Sequence, residues 1–167
     1  PENLIAYEVL GELYRIRSEH SKEVEIYNAI LKQFNGKLKE NKDIADYLLR
    51  IADIYLYKIG DYKPVKEMAD EYLYYYPESS RPYSILAKMY SYQNNTQKAI
   101  EMYETALTFD RTNINNMIDL EWIQDNGIDR IKNIENILNE NKSMDDSATV
   151  YLAMGRLNRE YGVLSET

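Results

Sequence analysis

An all-α fold of stacked helical hairpins is predicted by three features of the sequence. One apolar stripe, spaced i, i+3, i+4 and i+7, recurs along the 167 residues. Its later copies keep an almost constant step. Strand signals are poor, because valine is scarce and alternating runs bounded by tight-turn dipeptides are missing. Self-similarity at a fixed period marks an array in which each unit buries the face of the next.

The copies run in order. Tyr7, Leu10, Gly11 and Tyr14 form the first, followed by Val24, Tyr27 and Ile30–Leu31. Leu48, Ile51, Ala52 and Tyr55 form the second, followed by Gly60, Val65, Ala69, Tyr72–Leu73 and Pro77. Tyr83, Leu86, Ala87 and Tyr90 form the third; Asn94–Asn95 break it, and Ala99, Tyr103 and Ala106 make a second stripe. Each such pair of amphipathic stripes around a turn reads as a helical hairpin. Met117, Leu120 and Gln124 are a weaker fourth copy, followed by Gly127, Ile134 and Ile137–Leu138. Tyr151, Met154, Gly155 and Asn158 begin a fifth, closed by Gly162. From Tyr83 to Met117 to Tyr151 the step is 34 residues each time, and from Leu48 to Tyr83 it is 35.

An aromatic, then Leu-Gly, then Tyr, with later Ala, aromatic and Pro, resembles the tetratricopeptide-repeat family. The resemblance covers nearly the whole chain, with hairpins at about 4–34, 45–77, 80–113 and 114–142 and a half hairpin at 147–167. It implies a right-handed superhelical solenoid of four full repeats plus a half. The hairpin from Ser80 to Asn113 is the most orthodox, and the fourth departs most, with Gln124 in place of the tyrosine. Extra residues around Asn35–Asp43 follow the first hairpin, so an offset in its packing onto the second is expected. Pro1-Glu2-Asn3 reads like the closing turn of a preceding repeat, and Gly162–Thr167 enters a turn. Neither end carries a polar capping helix, so a longer parent chain is expected on both sides.

Small residues at one position of the stripe, Gly11, Ala52, Ala87 and Gly155, mark places where helices approach closely. Pro64, Pro77 and Pro82 fall at helix beginnings or beyond helix ends, where the missing N–H is tolerated. Ser79–Ser80, Asn113 and Ser147 are expected as N-caps.

Composition excludes several functions. The net charge is −8 with lysine and arginine scattered among acids, which is the wrong footprint for nucleic acid. No apolar run approaches the roughly 20 residues that span a bilayer, so no membrane insertion is expected. The absence of cysteine removes disulfides and thiolate metal sites, and leaves the compartment open. His20, the sole histidine, reads as an exposed turn residue rather than a catalytic base. Asp145–Asp146 read as acids favouring the helix that starts at Ser147, rather than as a metal or acid–base pair. No enzyme, cofactor or metal is expected.

The 17 tyrosines are the oddity. Tyr7, Tyr14, Tyr27, Tyr55, Tyr72, Tyr83, Tyr90, Tyr103 and Tyr151 belong to the repeat pattern and read as core. Tyr74, Tyr75 and Tyr76 crowd one helix end, where at most one or two face inward; they read equally as an interface patch or as ordinary surface.

The resemblance also implies a concave groove lined by the first helix of each hairpin, holding an extended or helical peptide. One residue beyond each packing position gives Glu8 and Glu12, then Leu49, Asp53 and Tyr57. Next come Ser84, Lys88 and Tyr92, then Ile118 and Trp122, and finally Leu152, Arg156 and Arg159. Trp122 fits equally a burial between the fourth and fifth hairpins. The groove so drawn is acidic at its N-terminal end, aromatic in the middle and basic at its C-terminal end, matching a ligand of ordered charge. Chaperone-binding members of the family hold terminal carboxylates with lysines, asparagines and an arginine. Here Glu8 and Glu12 stand at two of those positions and Ile85 replaces the arginine, while Arg81 keeps the charge of one lysine. That clamp is absent. The expected function is a protein–protein scaffold or adaptor; the alternatives are a spacer or self-assembly module, or the regulatory part of a longer protein.

Overall fold

The structure, a computed structural model, describes residues 4–124, 128–140 and 155. Among them eight α-helices follow one another with no strand: α1 (Leu4–Ile16), α2 (His20–Gln33), α3 (Lys42–Ile54), α4 (Tyr62–Tyr75), α5 (Ser80–Tyr92), α6 (Thr96–Phe109), α7 (Ile114–Ile123) and α8 (Ile128–Glu140). Helices this short are marginal alone in water, so each must bury one face against a neighbour. They pack as pairs, α1 on α2, α3 on α4, α5 on α6 and α7 on α8. Between pairs, α2 packs on α3, α4 on α5 and α6 on α7. This is the all-helical solenoid that the stripes predict, with stability passed from neighbour to neighbour. The half hairpin expected at 147–167, with its cap Ser147, lies outside the described residues apart from Gly155.

Local chemistry sets the helix ends. Asn41, Asp61, Asn95 and Asn113 each cap a helix through a side-chain oxygen that accepts from Ile44, Lys63, Lys98 and Asn116 backbone N–H groups at 3.1–3.3 Å. Ser79 stands at the start of α5 but makes no such side-chain bond. Pro64 and Pro82 sit in first turns, where an N–H has no intrahelical partner. Asn94, with φ of 57°, turns the chain between α5 and α6, a left-handed position that asparagine tolerates.

One element has no sequence signal. After Ile54 the helix continues as a π-helical turn, Tyr55–Ile59, closed by Gly60 N–H donating to the Tyr55 carbonyl at 2.7 Å. Gly60, at φ of 78°, ends it. Such wide turns collect at functional sites, and this one carries Tyr57.

The main core runs from α2 to α5 and includes Ile30, Leu48, Ile51, Val65, Tyr72, Leu86 and Met89. A second cluster, Ile114, Ile118, Ile134 and Leu138, joins α7 to α8 with Trp122 and Ile137 packed against it. The close approach expected at Gly11 is present: a Cβ there would lie 2.7 Å from Tyr27 Cε1. Ala52 and Ala87 are fully buried. Gly155 differs, because a Cβ there meets nothing within 4 Å among the described residues. The extra residues after α2 are absorbed by burying Leu38, whose carbonyl accepts from the Tyr76 hydroxyl at 2.6 Å. α2 still meets α3, with the Tyr27 and Tyr47 rings 5.2 Å apart.

Tyrosine dominates because its ring packs while its hydroxyl reaches a carboxylate on another helix. Tyr47 donates to Glu8 at 2.6 Å, Tyr72 to Asp46 at 2.9 Å and Tyr103 to Asp119 at 3.4 Å. Burial first, and the adjacent carboxylate second, push the Tyr72 phenol up to about 12. The same two influences push Tyr47 and Tyr103 upward.

Two outcomes are expected. Gly11→Ala gains helix propensity but forces the Tyr27 ring against Tyr47, a net loss of about 1–2 kcal/mol in urea unfolding. The raised phenol values work on stability from the alkaline side. Neutral Tyr72 stabilises the fold fully below its unfolded value near 10 and loses that contribution as pH rises toward about 12. Urea midpoints are therefore expected to fall above about pH 10, less steeply in Tyr72→Phe.

Candidate functional site: a groove along the first helices

Packing consumes one side of α1, α3, α5 and α7 and leaves another side open as a channel. At the N-terminal end it is lined by Glu12 and Arg15 of α1, Glu23 and Tyr27 of α2, and Arg50, Asp53 and Ile54 of α3. His20, Asp53, Ile54, Tyr57 and Lys58 continue the wall. Tyr57 then enters a cleft of about 300 Å³ with Lys88, Ser91 and Tyr92 of α5, Tyr103 of α6, and Asp119, Trp122 and Ile123 of α7. Asp53, Ile54 and Tyr57 are shared between neighbouring cavities, so the channel is continuous.

Its charges are mostly engaged. Arg15 donates to both carboxylate oxygens of Glu12, one contact at 2.8 Å. Arg81 donates to Asp53 at 2.9 Å and bridges α5 to α3. The Arg50 guanidinium lies 5.0 Å above the Tyr47 ring. Glu23 is buried, 3% exposed, and accepts from the Tyr27 hydroxyl at 3.3 Å. His20 Nδ1 lies 3.3 Å from the other Glu23 oxygen. His20 is therefore not the exposed turn residue its neighbours suggested: it opens α2 and leans, half-buried, on a buried acid.

The cleft has aromatic walls around a lysine. Tyr57 meets Tyr92 edge to face with ring centres 6.3 Å apart. Lys88 Nζ is 6.0 Å from the Tyr57 ring centre and 3.6 Å from Asp119. Burial weakens the ammonium's hold on its proton, but Tyr57 and Asp119 outweigh it, so Lys88 sits above the usual lysine range and is charged. Asp53 shows the opposite balance: burial outweighs Arg81 and raises its carboxyl above the usual range.

The residues expected in the groove divide. Glu12, Asp53, Tyr57, Lys88, Tyr92 and Trp122 line the channel. Glu8 is exposed beside it, holding the Tyr47 hydroxyl. Ser84 is half-buried, its hydroxyl donating to the Ser80 carbonyl at 3.2 Å. Leu49 and Ile118 are corrections. Leu49 is fully buried in the main core, and Ile118, 4% exposed, packs with Ile134 and Leu138. Both stand on helices whose buried arc is wider than the stripe, and their apolar character was the signal of it. Leu152, Arg156 and Arg159 lie outside the described residues. The acidic N-terminal end is also corrected, because Arg15 and Arg50 stand among its acids.

Arg15, Arg50, Ser91, Asp119 and Ile123 were missed, although all lie on first helices. Tyr103 carries no groove signal at all, since it reaches the cleft from a second helix of a hairpin. Tyr74 is 82% exposed, while Tyr75 and Tyr76 are half-buried. Among the described residues no group of three or more His, Cys, Asp or Glu is placed to hold a metal. No helix there is long and apolar enough to cross a membrane.

The fold belongs to the class of helical-repeat solenoids. Solved structures of MamA share it: one crystal structure is 16% identical with a TM-score of 0.62, over 98% of this chain and 96% of that one. A double mutant of MamA from RS-1 is 18% identical at 0.62, over 81% and 74%. MamA from Desulfovibrio magneticus RS-1, from residue 41 to its end, is 17% identical at 0.57, over 83% and 75%. At these identities the likeness is one of fold. No protein-family model matches the sequence, and no curated protein matches it.

Asp53 yields an expected outcome. A carboxyl raised by burial destabilises the folded state when ionised, and that penalty disappears as pH falls through its folded value. Asp53→Asn is expected to keep or raise the urea midpoint at neutral pH, and to lose that advantage below about pH 4. A drop in the neutral-pH midpoint would show Asp53 to be a structural anchor.

Proposed function

We propose that the chain is a protein–protein interaction module that seats a peptide segment of another protein in this channel. One observation carries the reading: four successive hairpins contribute side chains to one uninterrupted groove, from Glu12 and Arg15 to Trp122. A surface of that shape suits an extended or helical segment. Its exposed tyrosines Tyr57 and Tyr92, the half-buried Trp122 and the exposed Arg15 and Arg50 are of the types that usually anchor interfaces. Asp53, its carboxyl raised by burial and held by Arg81, offers the groove an acid whose burial a partner's cation would offset. The binding set proposed here is Glu8, Glu12, Arg15, Arg50, Asp53, Tyr57, Ser84, Lys88, Tyr92 and Trp122. Leu152, Arg156 and Arg159, which lie outside the described residues, belong to the set on the repeat register alone.

The protein carries its own reporter, since Trp122 is its single tryptophan and lines the cleft. Titrating arrayed peptides against Trp122 emission is expected to find ligands that shift it. For such a ligand, Lys88→Glu and Tyr92→Ala should weaken binding by about tenfold or more, with helicity unchanged. Ligands bound equally by both variants would place the interface elsewhere.

A further inference from the structure

The cleft where the second, third and fourth hairpins meet differs in chemistry from the rest of the channel. In the repeat register one groove position holds Glu12, Asp53, Lys88 and Trp122 in turn. The position four residues later holds Tyr57 and Tyr92 in the second and third hairpins. Those two tyrosines meet edge to face, 44% and 53% exposed, and with Trp122 they line the cleft with rings. At about 300 Å³ it has room for one large side chain rather than a whole helix.

Its charged groups, among the described residues, are Lys88 and Asp119, and they face each other. Lys88 Nζ lies 3.6 Å from Oδ2 of Asp119, and the Tyr103 hydroxyl donates to the same oxygen at 3.4 Å. A carboxylate brought to Lys88 arrives beside Asp119, and a cation brought to Asp119 arrives beside Lys88. Either charge is repelled by one partner as it is attracted by the other. Asp53, the next acid along the channel, also feels Lys88 and is itself held by Arg81 at 2.9 Å. An aromatic ring avoids the conflict. It leaves the Lys88–Asp119 pair intact and packs against Tyr57, Tyr92 and Trp122. It also offers its face to the Lys88 ammonium, as Tyr57 does at 6.0 Å. An aliphatic side chain has the burial without that last attraction.

We propose that this cleft receives a neutral aromatic side chain of the seated segment, an inference that rests on the peptide-binding reading above. The ring anchors the segment and sets its register along the channel. Specificity lies in the clash that a charged side chain meets at the same place, between Lys88 and Asp119.

Proton–nitrogen NMR correlation spectra test the chemistry directly, because Trp122 is the single tryptophan and gives one indole N–H signal. Three probes stand for three kinds of side chain: p-cresol for a neutral ring, propionate for an acid and propylguanidinium for a cation. p-Cresol is expected to move the Trp122 signal along a saturating curve, with the other two several-fold weaker or without effect. Tyr92→Ala should raise the p-cresol midpoint several-fold with helicity unchanged, since Tyr92 is exposed in the parent. Propionate or propylguanidinium matching p-cresol overturns the proposal. So does a signal that ignores p-cresol, or a midpoint indifferent to Tyr92→Ala. Peptides found through Trp122 emission give a second readout: changing their aromatic residue to leucine should weaken binding about tenfold. Bound peptides that lack an aromatic residue, or ignore its change, overturn the anchor and leave the interaction module standing. A chain that takes p-cresol but no peptide keeps the aromatic site and loses the peptide-binding reading.

Discussion

The structure depends on each short helix being covered by the helices before and after it. None of the eight described helices exceeds 14 residues, and such segments gain little from hydrogen bonding alone. What holds them is contact at a few repeated points, where a small residue admits a ring or a backbone. Gly11 beneath Tyr27 is the sharpest of these; Ala52 and Ala87 keep the same position free of bulk in the next two hairpins. Stability in such a chain is local, and a substitution is felt chiefly in its own hairpin and the next.

Tyrosine turns that packing scheme into a polar lattice. A buried aliphatic residue ends at the wall of its pocket, but a tyrosine extends through the wall and ties to a carboxylate on a neighbouring helix. Tyr47 to Glu8 ties the second hairpin to the first, and Tyr103 to Asp119 ties the third to the fourth. These bonds fix the angular relation of successive hairpins, and with it the line of the groove. Asp119 is also the acid nearest Lys88, so one carboxylate serves the stacking of hairpins and the charge of the cleft. The channel is thus a by-product of stacking: whichever arc of α1, α3, α5 and α7 the neighbours leave uncovered becomes its wall.

The helices and their pairing were legible because their causes are local. Tyr83, Leu86, Ala87 and Tyr90 are a stripe only if the chain is helical, and Asn94–Asn95 can only interrupt it. The groove was legible in part. Asp53, Lys88 and Trp122 follow from counting along a helix, whereas Leu49 and Ile118 satisfy the same count and are core. Counting assumes that every first helix is covered over the same arc. α3 is covered more widely than that, and α8 covers α7 on the side of Ile118. The π-helical turn that carries Tyr57 left no trace in the stripe.

The sequence by itself determined the all-helical class, the repeat period and the residues that pack, because side-chain periodicity and turn chemistry act over a few residues. It also determined the chain's acidity and its lack of thiol chemistry, which are matters of composition. Only the tertiary structure decided which exposed positions converge. Lys88 and Asp119 lie 31 residues apart on separate helices, and Tyr103 joins them from a third. Their meeting depends on how three hairpins are rotated against one another, a relation that no local pattern encodes. It likewise decided that, among the described residues, Ile5, Val9 and Ile16 are exposed, since exposure is a property of the neighbours rather than of the helix.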